Sequence, residues 1–403
     1  MSRLEIKKQG ITYINPFLLA SSPATRTAEM IKRGFEAGWA GAVLKTICLC
    51  PETMIDVNQR IYAYKNKSSI LGLKNIEMIS NRPVELWAKE IRKLKNEFPD
   101  RIIIASIMAE GENLQDWQEL TEILQDAGAD AVELNLSCPN GVPERGMGSY
   151  ISEIPDLCGK ITAAVKKVSK VPVWAKLSPN VTDISLIAFS CLQSGADGIT
   201  AINTLKGFAG IDIESLQPNL NIGDLSTYGG FSGKIIKPYA LKAVSEIAKQ
   251  HSCYISATGG ISNWQDAVEF ILLGASSLQI CTEVLLKSYN IINPLINGLN
   301  NYLERHSRSS IEDIIGVGLE KIDDYGKLDK NIKYKASINK NDCIKCGKCF
   351  VSCMDGGYQA INREIDETYS IDNDKCAGCG LCQHVCPANA VSMVNISEKS
   401  FLY

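Results

Sequence analysis

Two runs of four cysteines near the C-terminus constrain this chain more than any other feature. The first is Cys343, Cys346, Cys349 and Cys353; the second is Cys376, Cys379, Cys382 and Cys386, followed by Pro387. Both read C-x2-C-x2-C-x3-C, the bacterial-ferredoxin spacing for 4Fe-4S clusters. In that arrangement three thiolates on a tight loop hold one cluster, and the fourth, on the short helix that follows, crosses to the other. Crossed ligation groups Cys343, Cys346, Cys349 and Cys386 around one cluster. It groups Cys376, Cys379, Cys382 and Cys353 around the other. C-x2-C pairs also build zinc ribbons, but a zinc site takes four ligands, usually as two separated pairs. Two complete runs with matching spacings favour clusters, and with them a chain that moves electrons one at a time. Met354 follows the first run where proline follows the second, which leaves the ligands intact.

The chain has 403 residues, enough for two or three domains and a large core. Its net charge is −3 and it has no basic run, so nucleic acid is not an implied partner. No apolar stretch reaches the roughly 18 residues of a membrane span. The opening MSRLEIKKQGITYINPF is too polar for a secretory signal. Cysteines used as cluster ligands belong in a reducing compartment, so a cytoplasmic location is expected. The seven cysteines outside the two runs are Cys48, Cys50, Cys138, Cys158, Cys191, Cys253 and Cys281. Most read as small buried hydrophobes.

The first 300 or so residues alternate short apolar runs with longer amphipathic segments. The runs are 17–21, 41–45, 101–108, 131–137, 171–177, 198–203, 253–260 and 277–281. Gly-Ala pairs at Gly128, Gly195 and Gly274 close helices just before the next strand. Eight strands alternating with helices have the count and size of a (β/α)8 TIM barrel. A doubly wound open sheet is the alternative. The domains expected are a barrel over 1–304, a connector over 305–335 and a ferredoxin-like module over 336–403. Segment 205–237 is long and glycine-rich, as lids and insertions are.

In such a barrel the chemistry sits at the C-terminal strand ends. Here those ends are Ser21, Lys45, Met108, Asn135, Lys176, Asn203, Gly259 and Cys281-Thr282, a polar set for residues that finish apolar runs. Gly259-Gly260 and the loop after strand eight offer backbone N–H groups to a phosphate. Gly229, Gly230, Ser232 and Gly233 give a third glycine-rich approach. An iron–sulfur module delivers single electrons and most organic reductions need two; FMN converts between them. Lys176 is the candidate to stabilise the negative charge of a reduced flavin. Cys138 opens the loop CPNGVPERGMGSY after Asn135. A free thiol, with its ordinary pKa near 8.5, is protonated at neutral pH and can act as a general acid beside a carbonyl. His251, His306 and His384 lie away from the strand ends, which raises the weight on Cys138.

ELNLSCPNGVPERGMG, ITYINPFLLASS, IIIASIM, WAKLSPNVTDI, AINT, TYGGFSGKIIKP and ATGGI closely resemble the pyrimidine-reducing part of the dihydropyrimidine dehydrogenase family, within the dihydroorotate dehydrogenase-like flavin barrels. The resemblance covers nearly the whole chain. It implies FMN on the barrel, a uracil or thymine ring stacked on it, hydride passing from flavin N5 to C6, and Cys138 as proton donor to C5. Asn75, Asn135, Ser137, Asn203 and Thr204 match pyrimidine-binding positions. Ala20, Ser21, Lys45, Thr46, Lys176, Gly230, Ser232, Gly233, Gly259, Gly260, Cys281 and Thr282 match flavin-contacting ones. One departure stands out: after IIIASIM, where the family is expected to place a further pyrimidine-binding asparagine, this chain has Glu110, Gly111, Glu112 and Asn113. Gly316-Val317-Gly318 is not continued as G-x-G-x-x-G. The resemblance therefore implies that NAD(P)H is oxidised by a separate FAD- and NAD(P)-binding flavoprotein subunit. Two competing readings are a dihydroorotate dehydrogenase-type enzyme and a non-catalytic iron–sulfur electron-transfer subunit whose barrel is a scaffold.

Overall fold

The computed structural model describes residues 3–140 and 145–397 and divides into two compact units, Met1–Lys321 and Ile322–Tyr403. A hairpin of β1 (Ile6–Lys8) and β2 (Ile11–Tyr13) opens the first unit. Strands and helices then alternate: β3 (Phe17–Leu19), α1 (Ala28–Ala37) and β4 (Gly41–Val43). An inserted hairpin, β5 (Ile61–Asn66) and β6 (Ser69–Asn75), interrupts the pattern. It resumes with α2 (Val84–Glu97), β7 (Ile102–Ile107), α3 (Leu114–Asp126), β8 (Ala131–Asn135), a short α4 (Ser149–Ser152) and α5 (Pro155–Val168). Next come β9 (Val173–Leu177), α6 (Ile184–Gln193) and β10 (Gly198–Ala201). A second excursion carries β11 (Leu205–Gly207) and β12 (Gly229–Ser232). The unit ends with α7 (Lys237–Gln250), β13 (Tyr254–Thr258), α8 (Trp264–Leu272), β14 (Ser277–Ile280), α9 (Thr282–Lys287) and α10 (Ile292–Arg305).

Strands β3, β4, β7, β8, β9, β10, β13 and β14 pair in parallel, in that order, and β14 returns to β3 to close the barrel. Each of the eight apolar runs supplies one of them, and closure excludes the open sheet. The strands are buried on both faces, which is why they read as continuous apolar runs rather than alternating ones. The Gly-Ala pairs end three helices by one device. Gly128, Gly195 and Gly274 are left-handed, with φ of 104°, 97° and 101°. The alanine after each donates its N–H back into the last turn, to Leu124, Cys191 and Phe270 carbonyls at 3.1, 3.0 and 3.0 Å.

The barrel interior is not uniformly apolar. Ser106, Glu133, Lys176, Thr200, Ser256, Ser277 and Gln279 are all buried, where branched aliphatic residues usually dominate. Over the strand ends lies a four-stranded antiparallel sheet in the order β11-β12-β6-β5, built from the two excursions. Segment 205–237, expected as a lid or insertion, supplies half of it. Lys74 on β6 is fully buried and donates to the Thr227 carbonyl at 2.6 Å, clipping the 208–228 loop to this sheet. After α10 the chain stays on the barrel unit: Ile311 and Ile314 are buried, and Gly318 N–H donates to the Leu272 carbonyl at 2.8 Å.

In the second unit β15 (Tyr334–Ile338) pairs with β18 (Val391–Asn395), and β16 (Ile361–Arg363) with β17 (Tyr369–Ile371), both antiparallel. Helices α11 (Lys348–Gly356) and α12 (Leu381–His384) begin inside the two cysteine runs. Its buried apolar cluster is Ala336, Cys349, Ile361, Tyr369, Cys382 and Val391, with Cys343, Cys353, Cys376 and Cys386 packed against it.

Candidate functional site

The strand ends and the capping sheet enclose one large cleft. It has about 1210 Å³ of space between atoms, open mouth included. Of the strand-end residues, Ser21, Lys45, Asn135, Lys176, Asn203, Gly259, Cys281 and Thr282 line it; Met108 is fully buried and does not. Ala20, Thr46, Asn75, Cys138, Thr204, Ser232, Gly233 and Gly260 line it too. Ser137 and Gly230 stand behind the wall. A side chain at Gly230 would put its Cβ 2.1 Å from Thr204 Oγ1, so only glycine lets β12 lie this close.

The amides at the mouth hold one another. Asn135 Nδ2 donates to Thr46 Oγ1 at 2.9 Å, and Thr46 meets Ser106 Oγ at 2.9 Å. Asn203 Nδ2 donates to Ser137 Oγ at 3.0 Å and Asn135 Oδ1 at 3.3 Å, while Asn203 Oδ1 accepts the Thr204 N–H at 2.8 Å. Asn75 Nδ2 reaches the Gly230 carbonyl at 3.4 Å, and Asn140 Nδ2 donates to Asn75 Oδ1 and the Glu77 carbonyl, both at 3.3 Å. Cys138 is buried at the cleft wall beside Pro139 and Asn140. Residues 141–144 of its loop lie outside the described residues.

Two buried ion pairs border the cleft. Lys45 Nζ lies 3.2 Å from Glu77 Oε2, and Lys176 Nζ lies 3.2 Å from Glu133 Oε1. Partly exposed Cys281 has its thiol pushed up, chiefly by desolvation, against the pull of Ser22, Lys176 and Lys45. The segment Glu110–Asn113 does not enter the cleft. Asn113 caps α3 by accepting the Asp116 N–H at 3.4 Å. Glu110 accepts from Arg145 Nε and Nη2 at 3.0 and 2.8 Å, tying down the far leg of the Cys138 loop.

The sequence reading missed four polar groups here. Glu133 and Gln279 carried a signal, since each is a polar residue in the middle of an apolar strand run. Glu77 and Asn140 carried none: their place depends on the inserted hairpin and on the fold of the loop after β8.

The residues present suit a flavin mononucleotide. Gly233, Gly259 and Gly260 have φ of 86°, 126° and 88° and leave backbone facing the cleft, and a Cβ on Gly260 would sit 2.9 Å from the Gly233 carbonyl. Gln279 Oε1 is buried with no partner among the described residues, an acceptor left for a bound group. In the second unit one cavity is lined by Cys343, Cys346, Cys349 and Cys386, the other by Cys376, Cys379, Cys382 and Cys353. Each crossing cysteine accepts a backbone N–H at 3.3 Å, Cys386 from Ala390 and Cys353 from Ala360. Among the described residues no three His, Cys, Asp or Glu side chains cage a single metal ion. A cubane differs in kind, because its four ligands are spread around a cluster rather than drawn to one ion.

Residues 3–303 match the dihydroorotate dehydrogenase family, and residues 336–393 match the 4Fe-4S dicluster domain. The chain belongs to the dihydroorotate dehydrogenase family. Members of this family are oxidoreductases that bind FMN, and here two 4Fe-4S clusters are added in the second unit. The NAD-dependent dihydropyrimidine dehydrogenase subunit PreA of Escherichia coli is 38% identical over 98% of this chain and 96% of its own length. The chloroplastic dihydropyrimidine dehydrogenase (NADP(+)) of Arabidopsis thaliana is 37% identical over 85% of this chain and 83% of its own. The catalytic subunit of dihydroorotate dehydrogenase B (NAD(+)) from Pyrococcus abyssi is 38% identical, over 79% of this chain and 99% of its own. That coverage leaves the archaeal relative no length for a second unit like this one. Among the described residues no helix is long and apolar enough to cross a membrane.

Proposed function

We propose that the chain is the catalytic subunit of a dihydropyrimidine dehydrogenase, reducing the C5–C6 bond of uracil or thymine or running the reverse reaction. Electrons pass between NAD(P)H and the barrel through a separate FAD- and NAD(P)-binding subunit and the two clusters. The cytoplasm, where cluster thiolates stay reduced, is the compartment that suits it. One observation carries the reading: Cys138 shares a cleft with Asn75, Asn135, Asn203 and Thr204, while both buried lysines of that cleft are already paired with glutamates.

Side-chain amides both donate and accept, which matches the alternating C=O and N–H edge of a pyrimidine. Asn75, Asn135 and Asn203 hold that edge, Ser137 braces Asn203, and Thr204 closes the set. FMN, when bound, supplies the hydride and converts two-electron into one-electron chemistry. Cys138 would give its proton to C5, which together with a hydride at C6 replaces one π bond by two C–H bonds. Gly233, Gly259 and Gly260 turn backbone N–H groups to the cofactor's phosphate. Ala20, Ser21, Lys45, Thr46, Ser232, Cys281 and Thr282 wall the cofactor, Gly230 backs that wall, and Lys176 offsets negative charge on the reduced ring. Cys343, Cys346, Cys349 and Cys386 hold one cluster; Cys376, Cys379, Cys382 and Cys353 hold the other.

The competing substrate is orotate, and the ion pairs argue against it. Its carboxylate would need a desolvated cation at the cleft; the two buried lysines there, Lys45 and Lys176, are committed to Glu77 and Glu133, and Lys234, the other lysine of the lining, is exposed to water. An anaerobic titration with uracil, thymine and orotate, following flavin absorbance, tests this. Uracil or thymine should perturb the spectrum and orotate should not; tighter orotate binding with faster dihydroorotate turnover would overturn the reading. The isolated chain should turn over pyrimidines with artificial electron carriers and be nearly inert with NADH. Rapid NADH oxidation by the chain alone would remove the partner subunit from the scheme.

A further inference from the structure

Glu133 has no part in the chemistry above, yet it is the most enclosed charged group near the cleft. It is fully buried on β8, two residues before Asn135, so both side chains face the barrel interior. Lys176 Nζ is 3.2 Å from its Oε1; Thr200 Oγ1 and Gln279 Nε2 donate to its Oε2 at 2.9 and 2.7 Å. These donors stand on β9, β10 and β14, and β8 is not a neighbour of β10 or β14, so the contacts cross the interior. Lys176 and Gln279 line the cleft and Glu133 lies beneath them. The carboxylate also fixes the Gln279 amide: its NH2 faces Glu133, which leaves Oε1 as the orphaned buried acceptor.

A lone buried carboxylate is costly, and losing one partner of a buried pair is costlier than losing both. The pair therefore behaves as a unit. Seen from the cleft, a lysine with a carboxylate 3.2 Å behind it is closer to a dipole than to a free cation. We propose that Glu133 is a positioning residue: it holds Lys176 at the cleft floor, offsets its charge, and so sets the reduction potential of the bound FMN. This rests on the placement of Lys176 beside the flavin ring.

The test is an anaerobic spectroelectrochemical titration of the holoenzyme. Glu133→Gln, nearly isosteric, unmasks the Lys176 charge and favours the reduced, more negative ring. The expected shift is about tenfold in the reduced-to-oxidised ratio at fixed potential, roughly 30 mV positive for a two-electron couple. Glu133→Asp withdraws the carboxylate by one methylene and should move the potential the same way by less. It supplies the measurement if Glu133→Gln does not retain FMN. Lys176→Met should move the potential negative. A packing role for Glu133 would change melting temperature and leave the potential where it was. An unmoved potential in the Glu133 variants, with Lys176→Met shifted negative, overturns the inference and leaves the lysine assignment standing. An unmoved potential in Lys176→Met sinks that assignment and the inference with it.

Discussion

The two units of this chain are held together by different physics. The barrel unit buries Trp39, Trp87, Trp117, Trp174, Phe17, Phe35 and Phe270 in one continuous apolar core. Among the described residues of the second unit, Ile322–Tyr403, the buried apolar cluster has six members, and two of those are the cysteines Cys349 and Cys382. A domain of that size with so small a core needs a staple, and the clusters supply it. The barrel binds its cofactor on a surface that apolar packing has already built. The second unit is built around its cofactors.

The largest test of that contrast is removal of iron. Oxidation and chelation should unfold the second unit, because metal ligation in small metal-folded domains supplies on the order of 10 kcal/mol. Limited proteolysis should then cut within 322–397 while the barrel keeps its thermal transition. A protease-resistant second unit without iron would break the comparison. Cys353→Ser alone should perturb the cluster shared with Cys376, Cys379 and Cys382, and electron paramagnetic resonance would show which cluster changes.

Removing a functional group from the barrel should do the opposite. Cys138→Ala is expected to retain FMN and bind pyrimidine, and to lose about 10²–10⁴-fold in turnover per bound FMN with little change in melting. Turnover near wild type would reduce Cys138 to a packing residue. Phe270→Ala reverses the pattern, costing about 3–5 kcal/mol of barrel stability by denaturant unfolding while cluster content is unchanged. Asp183 makes the smallest test. Its carboxylate accepts the Ser185 and Leu186 N–H groups at the start of α6, at 2.9 and 3.3 Å. Asp183→Ala should cost about 1 kcal/mol and leave the second unit untouched.

The barrel was legible because its signals are local. Each strand declared itself as an apolar run, and each Gly-Ala pair marked a helix end through φ at one residue. Lys45, Asn135, Lys176 and Asn203 were found because the chemistry of such a barrel gathers at its strand ends, although Met108, at another strand end, is buried away from the cleft. The capping sheet was not legible: β5 and β6 are half-exposed and mixed in composition, and β11 meets β12 only across a long loop. Glu77 and Asn140 were lost with it. After IIIASIM the departure is structural: Asn113 caps a helix outside the cleft, whereas Asn75, named from the resemblance, lines it from the inserted hairpin.

By itself the sequence determined the number of barrel strands, the residues at their ends and two sets of cysteines with cluster spacing. All of these follow from short-range geometry: the alternation of side chains along a strand and the reach of a few residues around a loop. Only the tertiary structure decided which charges face one another. Lys45 meets Glu77 because the chain leaving the β5–β6 hairpin folds back over the mouth, and Glu133 meets Gln279, 146 positions away, because the sheet closes. Buried charges gain their partners from closure, and spacing along the chain carries no record of what lies across a barrel.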